Sequence, residues 1–138
     1  MTSPRFLLDT NICIYIRQRR PPEVLARFRS LRAGEAAISV ITYGELRYGA
    51  EMSRERERAL DLLARLVTLL PVLPLPRAAG EAYGSIRAEL ERRGEVIGNN
   101  DLWIAAHALT AGLILATNNQ REFARIGGLQ LADWIESD

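Results

Sequence analysis

Short apolar runs alternate with longer helical patterns along the chain, and this alternation constrains the fold more than any other feature. The runs at residues 5–8, 36–40 and 113–117 are each a few residues long and almost wholly apolar. Such runs are typical of parallel strands that are buried on both faces. Their alternation with helices predicts an α/β sandwich whose central sheet is mostly parallel.

Turn residues and hydrophobic periodicity set the expected boundaries. A third strand at 72–75 is flanked by prolines, which favour a sheet edge, and a last strand is expected at 129–131. Ser53 is expected to cap a long amphipathic helix that ends at residue 70. Gly98-Asn99-Asn100 is expected to form a loop before a helix over 101–111, which Gly112 ends. Further helices are expected over 12–17, 22–32, 42–51 and 77–93, with a helical turn over 120–125.

Length and composition predict one domain over residues 1–138 and exclude several chemistries. The chain is 48% hydrophobic, has a net charge of +1, and carries eighteen basic residues that are all arginine. Without lysine there is no Walker-type phosphate loop and no Schiff-base lysine. One cysteine and one histidine rule out a His/Cys zinc set. The arginines fit either a biased base composition or recognition of phosphate.

No segment has the length and hydrophobicity of a membrane span. The most apolar stretch, residues 66–76, is interrupted by three prolines, and the apolar run near the N-terminus is too short for a signal peptide. We therefore expect a cytoplasmic protein that does not bind membranes.

Polar side chains follow the predicted strands where function collects in parallel sheets. Asp9 ends the first strand, Glu45 lies in the helix after the second, and Asn119 follows the strand at 113–117. Asp101 opens a helix that is apolar almost all round and is therefore expected to be buried.

Each of these four residues also has a purely structural interpretation. Asp9 is a good helix cap, Glu45 fits a solvated helix surface, and Asp101 fits the first turn of a helix. Asn119 is equally typical of a turn. The combination favours a site, because carboxylates crowded in a cleft repel one another unless a cation neutralises them.

An oxygen-only ligand set predicts Mg²⁺, or Mn²⁺, rather than zinc. Such an ion is held by a few carboxylates and leaves coordination positions for water and substrate phosphate. The chemistry that follows is metal-assisted hydrolysis of a phosphodiester bond.

Four segments together resemble the motifs of PIN-domain ribonucleases of the VapC toxin type. They occur in order over almost the whole chain: LDTNICIY from Leu8, ITYGELRYGA from Ile41, IGNNDLWIAAHA from Ile97 and TNNQREF from Thr117. The resemblance implies a five-stranded parallel sheet and a Mg²⁺-dependent endoribonuclease that stops translation. It also implies that Asp9, Glu45 and Asp101 hold the metal.

The resemblance further implies partners and a substrate. It implies a homodimer and a VapB-type antitoxin whose C-terminal segment blocks the cleft, with operator DNA bound only through the antitoxin. Higher toxin–antitoxin assemblies are compatible with it. The fourth motif is most similar to toxins that act on initiator tRNA, so tRNA is the favoured RNA substrate.

The fourth motif departs from the family pattern at one position. Many PIN domains carry an acid where this chain has Asn119, which brings an amide and no charge. Asn119 is included with the catalytic residues as a group that orients water, and one metal ion is favoured over two. The expected supporting or substrate-binding residues are Thr10, Asn11, Thr117 and Arg121.

Three lesser signals leave alternatives open. Arg17, Arg19 and Arg20 form either a solvated cluster or a clamp for RNA phosphates. Arg121 is expected to contact phosphate or to pair with Glu122. His107 is interpreted as a packed or hydrogen-bonded core residue, because it points about 120° away from Asp101 on a helix.

Two other functions remain compatible with the sequence. One is a nuclease-dead PIN module that binds a VapB-like antitoxin and acts in operator-bound autoregulation. The other is a housekeeping nuclease without an antitoxin. The full set of three acids argues against the nuclease-dead module.

Overall fold

A computed structural model describes residues 3–135 as a five-stranded sheet covered by helices on both faces. The strand order is β3-β2-β1-β4-β5, and all four neighbouring pairs are parallel, as the alternating sequence pattern predicts. The strands are β1 (Phe6–Leu8), β2 (Ala36–Ser39), β3 (Val72–Leu73), β4 (Ile114–Ala116) and β5 (Leu131–Ala132). The prolines near β3 fit its position at the sheet edge.

The central strand β1 separates two hydrophobic cores because successive side chains of a strand point to opposite faces. Phe6 and Leu8 pack in one core with residues of the first, second and fourth helices, whereas Leu7 packs in the other with residues of the fifth and sixth. All three side chains are at most 2% exposed. Burial on both faces explains why the sequences of these strands are unbroken apolar runs.

Seven helices connect and cover the strands in the described part of the chain. They are α1 (Thr10–Gln18), α2 (Pro22–Arg29), α3 (Val40–Glu51), α4 (Arg56–Leu69), α5 (Arg77–Arg92), α6 (Asn99–Ala111) and α7 (Gln120–Phe123). None of the helices within residues 3–135 is both long enough and apolar enough to cross a bilayer.

Local hydrogen bonds move several boundaries away from the sequence predictions. Helix α6 begins at Asn99, so the prediction of a loop over Asn99 and Asn100 is wrong; Gly98 is the residue that precedes the first turn. Ser53 is not the cap of α4, since its hydroxyl instead accepts from the Glu55 N–H in the preceding turn. Helix α2 ends at Arg29, earlier than predicted, and β5 lies at 131–132 rather than 129–131.

The strand order reverses direction beside β1, and this reversal positions the site. From β1 the chain proceeds outward through β2 to β3, then crosses back to place β4 on the other side of β1. Ligands of open α/β sheets bind at the carboxyl ends of strands at such a switch point. Asp9 and Thr117 stand directly after β1 and β4, on either side of that crevice.

Gly112 tests the local account of α6, because it ends the helix in the left-handed region with φ +69°. We predict that Gly112→Ala lowers the free energy of unfolding by about 1 kcal/mol, since a Cβ is disfavoured in that conformation. The matched control is Gly84→Ala inside α5, where an added Cβ meets no atom within 4 Å. It is expected to raise the free energy of unfolding by about 0.5 kcal/mol. Equal effects in urea denaturation would contradict this assignment.

Candidate active site

Asp9 joins the end of β1 to the start of α1 and faces the crevice. Its side chain caps α1, with Oδ1 accepting from the Ile12 N–H at 3.1 Å, and Oδ2 accepts from the Thr117 hydroxyl. The capping interpretation of Asp9 is therefore correct, and the side chain lies at the edge of the sheet where the sequence predicts a site. The side chain is only 5% exposed, and burial raises the pKa of the Asp9 carboxyl against the lowering effect of these hydrogen bonds.

Thr117 ties the end of β4 to Asp9. It is fully buried, donates its hydroxyl proton to the Asp9 carboxylate, and accepts at Oγ1 from the Asn119 N–H at 3.0 Å. The main-chain N–H of Asp9 also bonds the Ala116 carbonyl at 3.0 Å, which extends the β1–β4 pairing by one residue. The position of Thr117 supports the expectation that it orients a carboxylate.

Glu45 is held at both carboxylate oxygens. The Thr10 hydroxyl donates to Oε1 at 2.5 Å, and the Asn100 amide donates to Oε2 at 3.3 Å. Glu45 is therefore not a solvated helix acid, because groups from α1 and α6 fix its direction. Sequence reasoning missed Asn100, which it placed in a loop; the Gly98 helix start is the signal that brings this amide into the first turn of α6.

Asp101 lies beside a carboxylate that sequence reasoning did not assign to the site. Its carboxyl group is close enough to that of Glu122, in α7, for the two to share a proton in a hydrogen bond. Burial, followed by the charge and hydrogen bond of Glu122 and the charges of Asp9 and Glu45, raises the pKa of Asp101 to about 6. The TNNQREF segment contained the signal, since an acid occurs three residues after Asn119.

The remaining predicted residues take more limited positions. Asn119 precedes α7 with its main chain bonded to Thr117, which fits its turn interpretation. Asn11 is exposed and reaches Asp9 through its main-chain N–H. Arg121 is exposed and, within residues 3–135, forms no ion pair with Glu122 or any other acid.

His107 is a buried structural residue, as predicted. Its Nδ1 lies 2.9 Å from the Ser39 hydroxyl, which also accepts from the Ile41 N–H as the cap of α3. This hydrogen bond holds the imidazole against the start of α3. Burial lowers the pKa of His107.

Glu45 lies in an open cleft of ≈620 Å³. Its lining includes the Thr10–Glu45 pair and apolar surface of α3, and its lining residues are Thr10, Val40, Ile41, Gly44, Glu45, Tyr48 and Asn100. Within residues 3–135, no arginine forms a salt bridge with Asp9, Glu45, Asp101 or Glu122. The negative charge of the cleft is therefore not neutralised by the protein's own cations.

A hard divalent cation fits this donor set chemically. All the available ligands are carboxylate, amide and hydroxyl oxygens, and burial of the acids leaves excess negative charge for a cation to neutralise. Within residues 3–135, no three His, Cys, Asp or Glu side chains are already gathered tightly enough to enclose an ion. The cleft therefore offers ligands for a metal without a closed cage.

Comparison with known proteins places this geometry in a family. Residues 6–129 match the family model described as PIN domain. The chain is 47% identical over 130 residues to "tRNA(fMet)-specific endonuclease VapC" of Shigella flexneri, covering 94% of this chain and 98% of that protein. It is 44% identical over 131 residues to "Ribonuclease VapC2" of Haemophilus influenzae, covering 95% and 98%.

A solved complex gives the same result for the fold. The toxin chain in the DNA-bound VapBC structure from Salmonella typhimurium superposes with a TM-score of 0.89 at 43% identity, covering 95% of this chain and 98% of that one. The chain belongs to the PIN-domain family and, within it, to the VapC ribonucleases. The four motifs of the sequence thus identify the family correctly.

The crowding of carboxylates predicts that the site reduces stability when no metal is present. The pKa of Asp101 is higher in the folded chain than in the unfolded chain, so the folded state binds more protons and gains stability as pH falls from 7 towards 4. We predict that Asp101→Asn raises the free energy of unfolding at pH 7 in EDTA by about 1 kcal/mol, discounted for the half-exposed side chain. The gain should shrink as the pH is lowered.

The measurement is urea denaturation at several pH values, with Glu89→Gln on the exposed side of α5 as the matched control. That control should change stability little at any pH. A loss of stability in Asp101→Asn at pH 7 would show that the carboxylate contributes to folding rather than opposing it.

Proposed function

We propose that this protein is the toxin of a toxin–antitoxin pair, a Mg²⁺-dependent endoribonuclease whose substrate is tRNA, initiator tRNA being favoured. The observation that carries the proposal is the convergence of acids at the β1–β4 switch point, where burial and the charges of Glu122, Asp9 and Glu45 raise the pKa of Asp101. The substrate is proposed because the Shigella flexneri relative is named for tRNA(fMet). Mn²⁺ is an alternative to Mg²⁺, since both prefer oxygen ligands.

Asp9, Glu45 and Asp101 would hold the metal, and Glu122 joins them as a fourth acid. A bound metal of this kind activates water and stabilises the charge that develops on the phosphate. The protein's own groups fix the acids: Thr117 and Ile12 orient Asp9, while Thr10 and Asn100 orient Glu45. Asn119 stands at the start of α7, where an amide can orient water near these acids.

Glu122 compensates for the acid that is absent at position 119. A carboxylate at the start of α7 reaches Asp101 directly, so negative charge is restored three residues further along the chain. Burial and the charge of Glu122 raise the pKa of Asp101, and a bound cation would offset the repulsion between the two carboxylates. We therefore count Glu122 with the metal-holding group.

The proposed partners follow from the relatives that this chain resembles. The Salmonella typhimurium structure is a DNA-bound VapBC complex, which supports a VapB-type antitoxin here and contact with operator DNA through that antitoxin. A homodimer and a single domain over residues 1–138 complete the proposal. A cytoplasmic location is proposed because tRNA and the translation machinery are found there.

Cleavage of purified tRNA tests the function. We predict that the protein, freed of antitoxin, cuts tRNA into discrete fragments with Mg²⁺ and not with EDTA. Asp9→Asn, Glu45→Gln and Glu122→Gln should each reduce the rate at least 100-fold, because each removes a charge from the metal-holding group. Glu89→Gln, which removes a charge far from the cleft on α5, should leave the rate unchanged.

Two outcomes would contradict the assignment. Cleavage that persists in EDTA would show that the reaction does not require a metal ion. A folded protein that cuts no RNA, yet binds an antitoxin and represses its operator, would favour the nuclease-dead module. Full activity in Glu122→Gln alone would exclude the fourth acid and retain the other three.

A further inference from the structure

Charge along this chain is segregated although its net value is only +1. Residues 10–34 contain six arginines and one glutamate, a net charge of +5, whereas the remaining twelve arginines and sixteen acids give −4. We define the six as the hairpin arginines, since they lie on α1, α2 and the flanking turns: Arg17, Arg19, Arg20, Arg27, Arg29 and Arg32. A surface of one sign is the electrostatic footprint of a polyanion-binding site.

The hairpin arginines are exposed and are not used in ion pairs. All six side chains are exposed, and within residues 3–135 none forms a salt bridge. By contrast, eight arginines elsewhere do pair with acids, for example Arg47 with Glu51 at 2.8 Å. Their charge is therefore free to act on a ligand.

Helix α1 connects this basic surface to the acidic cleft. Thr10, at its first turn, contacts Glu45, and Arg17 lies seven residues later on nearly the same face, about 10 Å along the axis. Arg17 lines a hollow of ≈340 Å³ between α1, α3 and the start of α4, together with Ser53, Arg58 and one acid, Glu55. Helix α1 therefore carries Thr10 at the cleft and Arg17 about two turns away.

Arg19 occupies a position where an arginine is not the residue that best suits the backbone. It ends α1 in the left-handed region with φ +61°, and its N–H caps the helix by bonding the Tyr15 and Ile16 carbonyls. Glycine is the residue best suited to that conformation, because a Cβ is disfavoured there. The cap itself uses only the main chain of Arg19, and the charged side chain remains exposed.

Within residues 3–135 no arginine forms a salt bridge with Asp9, Glu45 or Asp101, so a long RNA would find its basic contacts away from these acids. We propose that Arg17, Arg19 and Arg20 anchor the backbone phosphates of the RNA substrate several nucleotides away from the scissile bond. The anchor holds the strand along α1 while the acids act on the phosphate in the cleft. This inference rests on the proposed RNA substrate.

The test compares two triple variants that remove the same charge. Both are made in the Asp101→Asn background, so that bound tRNA is not cut. The hairpin variant is Arg17→Gln, Arg19→Gly and Arg20→Gln, and the control is Arg65→Gln, Arg77→Gln and Arg92→Gln on the exposed faces of α4 and α5. Binding of unfractionated tRNA is measured over a range of roughly 50 to 300 mM KCl.

The hairpin variant should bind tRNA at least about 10-fold more weakly at low salt, and the slope of log K against log salt should fall by about two. The control should keep the parental slope. In the active background, the hairpin variant should raise KM for tRNA more than it lowers kcat. Arg19→Gly alone should weaken tRNA binding while raising the thermal midpoint, a combination that a purely structural role would not produce.

Three results would overturn the inference. Unchanged binding and slope in the hairpin variant would show that these arginines do not contact RNA. Equal losses of tRNA binding in the two triple variants would show that only the net charge of the protein matters. If the hairpin variant kept its tRNA binding but no longer bound a poly-glutamate peptide, the arginines would be assigned to binding an acidic protein segment. Failure of the parent enzyme to cut tRNA is a separate readout, and it would contradict the proposed function without deciding the binding comparison.

Discussion

The Asp9 carboxylate is the junction on which the rest of the site depends. One oxygen accepts from the Ile12 N–H of α1, and the other accepts from the Thr117 hydroxyl at the end of β4. These bonds fix the first turn of α1, and Thr10 in that turn then orients Glu45. A helix cap, a strand pairing and the direction of two carboxylates are therefore set by one buried side chain.

Burying these neighbouring carboxylates costs free energy, which the rest of the fold must offset. Asp9 is almost fully buried, and the charges of neighbouring acids add to the penalty at Asp101, so their pKa values are raised. Strand burial on both sides of β1 and the hydrogen bonds around Asp9 hold the acids together against this repulsion. Functional sites commonly concentrate such local instability.

Sequence alone predicted the parallel sheet, the edge strand and three of the four acids, because apolar runs that end at acids report directly on strand ends. It did not predict Glu122, since the contact between α6 and α7 depends on how β4 and the following turn are placed. Asn100 was missed for a local reason: Gly98 starts α6 earlier than the turn-rich sequence indicates. The arginine cluster was recognised as basic, but only the structure shows that its members are exposed and form no salt bridge within residues 3–135.

The dependence of stability on Mg²⁺ tests the central claim that the acids of the site bind a divalent cation. Urea denaturation at pH 7.5 and constant ionic strength would be measured with and without Mg²⁺, for the wild type and for Asp101→Asn/Glu122→Gln. The account predicts that saturating Mg²⁺ raises the free energy of unfolding of the wild type by about 2 kcal/mol and that of the double variant by much less. An equal response of the two proteins, or no response in either, would contradict it.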